Sequence, residues 1–461
     1  MKNMTLENIA KCCNGTYIGE TALRQKEVAG VVIDSRQAEK DFLFIPIKGE
    51  RVDGHDFIDA VFEQGAAAVL SEHELQEPKG AYILVESTAA ALRQIAAFYR
   101  DSLDIKVVGI TGSVGKTSTK EMIASILETK YRVLKTAGNF NNEIGLPLTV
   151  FRLREEDEIA VLEMGISDFG EMNRLAEIAK PDIGVITNIG LCHLENLGTR
   201  DGIKQAKTEM FAHIKQGGTV VLNGEDDKLS EVMTVQGKPP MFYGVHPLNL
   251  QETPNAVYAT EIENLGLEGM HANFHFGEEI LPVRIPIPGE HSVMNALAGA
   301  CVAKELGLSL SEIQSGIANA QTISGRNHII HAKEMLVLDD CYNANPVSMK
   351  ASLDVLAGQR GRTIAVLGDM GELGNEERKL HYEVGAYAAE KEIDAIFCTG
   401  ELAKEYVKGA TENGSWSEVF YFEKKSEMIQ ALLDYRKAGD TILIKASHFM
   451  EFPEVVKALT E

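Results

Sequence analysis

The run Gly109-Ile110-Thr111-Gly112-Ser113-Val114-Gly115-Lys116-Thr117-Ser118 carries the residue types that hold a nucleoside triphosphate. Glycines let phosphate oxygens approach the backbone, amides at a helix start face the anion, and Lys116 adds a positive charge. Thr117 offers its hydroxyl to a Mg²⁺ that bridges the phosphates. The general pattern wants Gly or Ala where Ile110 stands. A Gly-rich turn followed by an ordinary exposed lysine is the plain alternative, and the setting decides against it. Ile105-Lys106-Val107-Val108 reads as a buried strand, and Met122, Ile123, Ile126 and Leu127 follow at helical spacing, so the loop joins a strand to a helix.

Other candidates are weaker when taken singly. Glu163 ends the apolar run Ile159–Met164, where a carboxylate can take Mg²⁺ directly or through water; a solvated strand-end Glu explains it as well. His193 lies just past another apolar run, but a lone His is more often structural and Mg²⁺ prefers oxygen. Lys207 reads by itself as an ordinary helix-surface lysine. Asn295, in a loop entering a small-residue helix, has an amide suited to an adenine edge and equally to a satisfied helix start. Polar clusters recur after later strands: Ser324-Gly325-Arg326, Asp339-Asp340-Cys341-Tyr342-Asn343-Ala344-Asn345-Pro346, and Leu367-Gly368-Asp369-Met370-Gly371-Glu372-Leu373-Gly374.

The elements that must position these groups alternate strand and helix. A chain of 461 residues points to about three domains. Residues 1–103 mix short strands and helices and end at Asp101-Ser102-Leu103-Asp104. Residues 104–323 read as a mostly parallel sheet, with strands near Ile159–Met164, Asp182–Ile189 and Thr219–Leu222. Ligands gather beyond the carboxyl ends of such strands, where Glu163 and His193 fall. Within it, roughly 241–288 looks like an antiparallel extension with strands Gly269–Phe276 and Glu279–Pro286, and Ser309-x-x-Glu312 is a capping-box signature. Residues 324–461 form a third α/β unit.

The formal charge of −23 argues against a nucleic-acid partner. The six cysteines show no zinc or CxxC spacing and read as reduced buried thiols. No apolar run approaches the ~20 residues of a membrane span, and the first residues lack a signal-peptide core. These features predict a soluble cytoplasmic protein with no membrane association.

In order along the chain, the motifs resemble those of the Mur ligases, ATP-dependent amide-forming enzymes of peptidoglycan precursor synthesis. The family's phosphate loop, Gly-x-Thr-Gly-x-x-Gly-Lys-Thr-Ser/Thr, matches 109–118 and accommodates Ile110. The likeness continues through Asn139-Phe140-Asn141-Asn142-Glu143-Ile144-Gly145-Leu146-Pro147, Glu163-Met164-Gly165, His193-Leu194, Ala206-Lys207, His291 to Asn295, and Gly325-Arg326. Stretches 48–56, 342–346 and 368–374 are most similar to members that join D-alanyl-D-alanine to UDP-N-acetylmuramoyl-tripeptide. One departure is Lys445-Ala446-Ser447-His448, where many relatives carry Lys-Gly-Ser-Arg, and no role is assigned to His448.

The resemblance implies an α/β fold of three domains: an N-terminal UDP-sugar domain, a central ATP-binding sheet and a C-terminal Rossmann-like domain. It implies ATP bound by Gly112, Ser113, Val114, Gly115, Lys116, Thr117 and Ser118, with Asn295 reading adenine, Arg326 the phosphates and Asp340 the ribose. It implies Mg²⁺ on Thr117, Glu163, His193 and Lys207, the lysine acting as a carbamate, and catalytic parts for Lys116, Lys207 and Arg326. Ser35, Arg36, Lys48, Asn139 and Asn142 are expected to bind the UDP-tripeptide, and Tyr342, Asn343, Asn345 and Asp369 to line the dipeptide side. The expected reaction passes through an acyl phosphate in a monomer whose third domain closes over ATP. The third tripeptide residue, L-lysine or a diaminopimelate, is left open. A sister ligase adding that residue, or a folylpolyglutamate synthase-like enzyme, is the nearest rival. A GTPase switch is disfavoured because no Asn-Lys-x-Asp tetrad occurs.

Overall fold

Short β-branched runs and capped amphipathic helices alternate through the chain and assemble into three sheets. The computed structural model describes residues 1–461 except 247–249, 251–252, 254, 333 and 413–415. The first sheet has strand order Thr16–Ile18, Ala81–Leu84, Ala68–Ser71, Leu43–Phe44, Val31–Val32, with only the Thr16–Ile18 pairing antiparallel. From it runs helix Thr88–Asp101, capped by the Ser87 hydroxyl. That helix also packs on the second unit: Tyr99 Oη donates to Leu153 O at 2.6 Å, and Arg100 Nε to Ala179 O at 2.8 Å. The first two units therefore share one continuous core.

The central sheet has nine strands. Strand Lys106–Thr111 lies between Ile159–Glu163 and Ile183–Ile186, parallel to both, and its five last residues are buried. Cores cover both faces, which is why these strands read as unbroken apolar runs. Two pairings are antiparallel, Val257–Asn264 with Met270–Phe276 and Met270–Phe276 with Glu279–Ile285, while Met241–Gly244 pairs parallel with both Thr219–Asn223 and Val257–Asn264. The strands expected to be antiparallel, near 269–276 and 279–286, are so, while the part of the segment from 241 that precedes them adds parallel strands. Alternating burial reports a half-covered face, whereas strand direction depends on the connection between strands. The capping box at Ser309 and Glu312 forms at the start of helix Leu310–Ala318.

The third sheet has the order His328–Ala332, Met335–Asp339, Thr441–Lys445, Thr363–Gly368, Ala395–Thr399, Glu418–Phe422, parallel after its first pair. Cores lie on both faces here too. Among the described residues, no helix is long and apolar enough to cross a membrane, and all six cysteines are free.

Candidate active site

The loop after strand Lys106–Thr111 is shaped by two glycines. Gly112 has φ +150°, and a Cβ there would stand 1.9 Å from Thr187 Oγ1. Gly115 adopts the left-handed region as N-cap of helix Lys116–Leu127. The segment after the neighbouring strand Ile183–Ile186 laces onto this loop. Thr187 Oγ1 and Asn188 Nδ2 donate to Val114 O at 2.6 and 3.0 Å. The Val114 and Ser113 amides donate to Asn188 Oδ1 and Asn188 O at 3.0 and 3.1 Å. Gly190 N donates to Ser113 Oγ at 2.9 Å. Ser113 and Val114 thus shape the loop, and the amides that helix geometry leaves without acceptors are those of Gly115, Lys116, Thr117 and Ser118. Lys116 Nζ lies back on Gly112 O at 2.8 Å. Asn295, on helix Glu290–Glu305, accepts from Thr119 Oγ1 at 2.9 Å and so stands against the same helix.

Glu163 closes strand Ile159–Glu163 and is 2% exposed. Asn141 Nδ2 donates to its Oε1 at 2.8 Å, while Oε2 is buried without a hydrogen-bond partner. Thr111 Oγ1, at the end of the adjacent strand, is orphaned in the same way. Buried polar atoms are rarely left so, and two at neighbouring strand ends beside a phosphate loop suit a hydrated cation. Lys207, on helix Arg200–Thr208, is 1% exposed, with no hydrogen bond or ion pair among the described residues, contrary to its reading as a surface lysine. Burial, opposed by Cys192 and aided by the Lys116 charge, brings its pKa down to about 8. His193 has φ +49° and bonds through Nδ1 to Glu372 Oε2 of the third unit at 2.8 Å. The His193 bond comes first among the causes holding the Glu372 carboxyl below its usual range. Among the described residues no three His, Cys, Asp or Glu side chains converge as a ready-made metal cage.

In the third unit, the Arg326 guanidinium stacks 4.1 Å above the Tyr342 ring. Tyr342 meets His448 edge-on and lines a cavity of about 570 Å³ with Gly325 and Asp339. Asp340 accepts from Lys445 Nζ and Ser352 Oγ at 2.5 Å and from Asn327 N at 3.2 Å. Both its oxygens are engaged, and the carboxylate keeps acceptor capacity beyond these three donors. Asn345 caps helix Pro346–Ala357 in a reciprocal box with Ser348. Asp369 accepts from Ala403 N at 2.8 Å at the start of helix Ala403–Glu412, and burial raises its pKa. Asn343 Oδ1 accepts from Ala344 N at 2.9 Å. The oxygens of these three side chains hold backbone turns.

Ser35 and Arg36 follow strand Val31–Val32, and Lys48 follows the neighbouring Leu43–Phe44, so all three gather beyond the carboxyl edge of the first sheet. Arg36 is paired with Asp34 at 2.7 Å, while the Lys48 backbone forms an isolated antiparallel β-bridge with that of Asp53. Asn139 is exposed, and Asn142 Oδ1 accepts from Gly145 N at 2.8 Å, capping a short helix. Sequence reasoning passed over Asn141, which holds Glu163, although it stands in the same Asn-rich stretch. It also passed over Asn188 and Glu372, whose parts come from contacts between segments distant in sequence.

The chain matches profiles of the Mur ligase family catalytic domain over 27–100, the Mur ligase middle domain over 110–303 and the Mur ligase glutamate ligase domain over 325–448. It is 39% identical to the UDP-N-acetylmuramoyl-tripeptide–D-alanyl-D-alanine ligase of Bacillus subtilis, over 100% of this chain and 99% of that one. The Escherichia coli ligase of that name is 33% identical over 100% and 99%. A crystal structure of MurF from Acinetobacter baumannii superposes with TM-score 0.89 at 33% identity, covering 99% and 98% of the two chains. MurF ligase from Thermotoga maritima in complex with ADP does so with TM-score 0.81 at 30% identity over 94% and 97%. By motif, by fold and by likeness along its whole length, this chain belongs to the Mur ligase family.

Proposed function

We propose that the protein joins D-alanyl-D-alanine to UDP-N-acetylmuramoyl-tripeptide with cleavage of ATP to ADP and phosphate. The observation that carries this reading is the likeness, unbroken across all three units, to ligases of that name. The tripeptide's terminal carboxylate attacks the γ-phosphorus of ATP and becomes an acyl phosphate. The amine of the dipeptide then attacks the carbonyl, and phosphate leaves from a tetrahedral intermediate.

The chain's own part is positioning and charge neutralisation. Lys116 and the first-turn amides hold the β- and γ-phosphates, Asn295 faces the adenine side, and Arg326, fixed on Tyr342, approaches from the third unit. Thr117, Glu163, His193 and Lys207 would hold Mg²⁺. When bound, that ion supplies positive charge to phosphate oxygens as two anionic reactants meet. Lys207 fits the set because its lowered pKa leaves a neutral amine fraction able to add CO₂, releasing a proton and leaving an anionic carbamate. Ser35, Arg36 and Lys48 mark the UDP-sugar seat. With these soluble, nucleotide-linked substrates the work is cytoplasmic, done by a monomer without nucleic acid.

The test is phosphate release from ATP by the purified protein, given UDP-N-acetylmuramoyl-tripeptide in its L-lysine or diaminopimelate form, with and without D-alanyl-D-alanine. Release that needs both substrates and yields a new amide, abolished by Lys116→Ala, supports the assignment. Turnover with a single amino acid or a folate instead would move the protein to a sister ligase.

A further inference from the structure

The loop Gly190–Leu194, which carries His193, follows strand Ile183–Ile186, yet its outer contacts belong to another domain. Leu191 packs against the core of the third unit. Two residues on, His193 Nδ1 meets Glu372 Oε2 at 2.8 Å. Gly374 of that unit lies against Leu194 and Glu195, 4.0 Å from where its own Cβ would be. Among the described residues, His193–Glu372 is the one ion pair joining 104–323 to 324–461. Both partners are non-glycine residues with left-handed backbones, φ +49° at His193 and +61° at Glu372. Such conformations cost free energy and persist where surrounding structure imposes them, which is common where a group must be aimed.

An imidazole can ligate a metal through Nε2 only in the tautomer, or ring orientation, that its other nitrogen permits. A carboxylate accepting from Nδ1–H selects that tautomer. We infer that Glu372 is a positioning residue acting across the domain interface: it holds the His193 ring so that Nε2 is presented to the divalent cation. The cation site is then complete only when the third domain is docked. Docking and cation binding therefore favour each other, as linkage requires of any two equilibria that share a contact. The side chain of Glu372 is 61% exposed, so its removal leaves no buried hole and no unfolded protein. This inference rests on the reading of His193 as a Mg²⁺ ligand.

The experiment is a Mn²⁺ titration of the full-length protein, followed by electron paramagnetic resonance with a non-hydrolysable ATP analogue present, so that no turnover enters the readout. Glu372→Ala is expected to weaken Mn²⁺ binding about tenfold, the lower range for loss of a partner behind a metal-binding histidine. Glu372→Gln, whose amide oxygen still accepts from Nδ1–H, is expected to stay within about threefold of the parent. His193→Ala should weaken binding at least as much as Glu372→Ala, and the double variant no more than His193→Ala. If His193→Ala weakens binding and Glu372→Ala does not, the inference fails while the ligand reading stands. Additive losses in the double variant would also overturn it, because Glu372 would then act by another route. Should His193→Ala bind Mn²⁺ like the parent, both fall.

Discussion

Asn141 Nδ2 donates to Glu163 Oε1 at 2.8 Å and so turns the other carboxylate oxygen into a buried site without a hydrogen-bond partner. The Asn fixes the rotamer, and the strand end supplies the position. Asn141→Ala is expected to leave Glu163 free to turn and to raise the Mg²⁺ concentration needed for half-maximal phosphate release by about tenfold, in line with other residues that orient metal ligands. An unchanged Mg²⁺ dependence would show that Asn141 does no more than fill space.

Lys207 is fully buried and its pKa falls from 10.5 to about 8 through burial. Because its folded pKa lies below the unfolded one, the unfolded chain binds more protons between those values, so the stability cost is full below pH 8 and fades as pH rises toward 10.5. Replacing it by Met in bicarbonate-free buffer is expected to stabilise the fold by up to about 3 kcal/mol at pH 7, with the gain shrinking at pH 10, while ligase activity is lost. Calorimetric melting of both proteins at the two pH values checks this. A Lys207→Met variant no more stable than the parent at pH 7 would contradict it.

At Gly112 the phosphate loop passes Thr187 so closely that an added Cβ would lie 1.9 Å from its hydroxyl. Gly112→Ala must therefore displace either the loop or the Thr187–Val114 hydrogen bond. The expected result is loss of ATP-analogue binding by at least tenfold with a modest destabilisation of about 1–3 kcal/mol, the usual cost of overpacking. Fluorescent-nucleotide titration and denaturant unfolding measure the two effects separately.

Lys445, 2% exposed, is paired with Asp340 inside the third unit. Removing one partner of a buried pair strands the other charge, at about 3–5 kcal/mol. Lys445→Ala is expected to lower the unfolding free energy by that amount, read from the urea midpoint and slope. Ser352→Ala, which leaves the ion pair and takes away one hydrogen bond, should cost about 1 kcal/mol. Equal and small effects for both would mean that water reaches the pair.

Where chemistry is carried by a contiguous run, it was legible in the sequence: the phosphate loop from Gly109 to Ser118 declares its own strand, glycines and helix start. Glu163, too, stands where an apolar run stops, so its place at a strand end could be read. The other site residues are different. Lys207 sits on a helix of mostly polar residues, and nothing local distinguishes a buried face from a wet one. Asn141 and Asn142 are neighbours of one type, yet one holds a carboxylate and the other caps a helix.

The sequence by itself determined the family, the order of strands and helices, and the presence of a nucleotide loop, because these follow from local spacing and from motifs short enough to be read along the chain. The tertiary structure alone decided which groups meet. It brought Asn188 to the phosphate loop, directed Asp340 to Lys445 and set Glu372 of the third unit on His193 of the second. Those contacts arise from packing between segments far apart in the chain, where side-chain direction depends on how whole sheets dock, and no local periodicity encodes that.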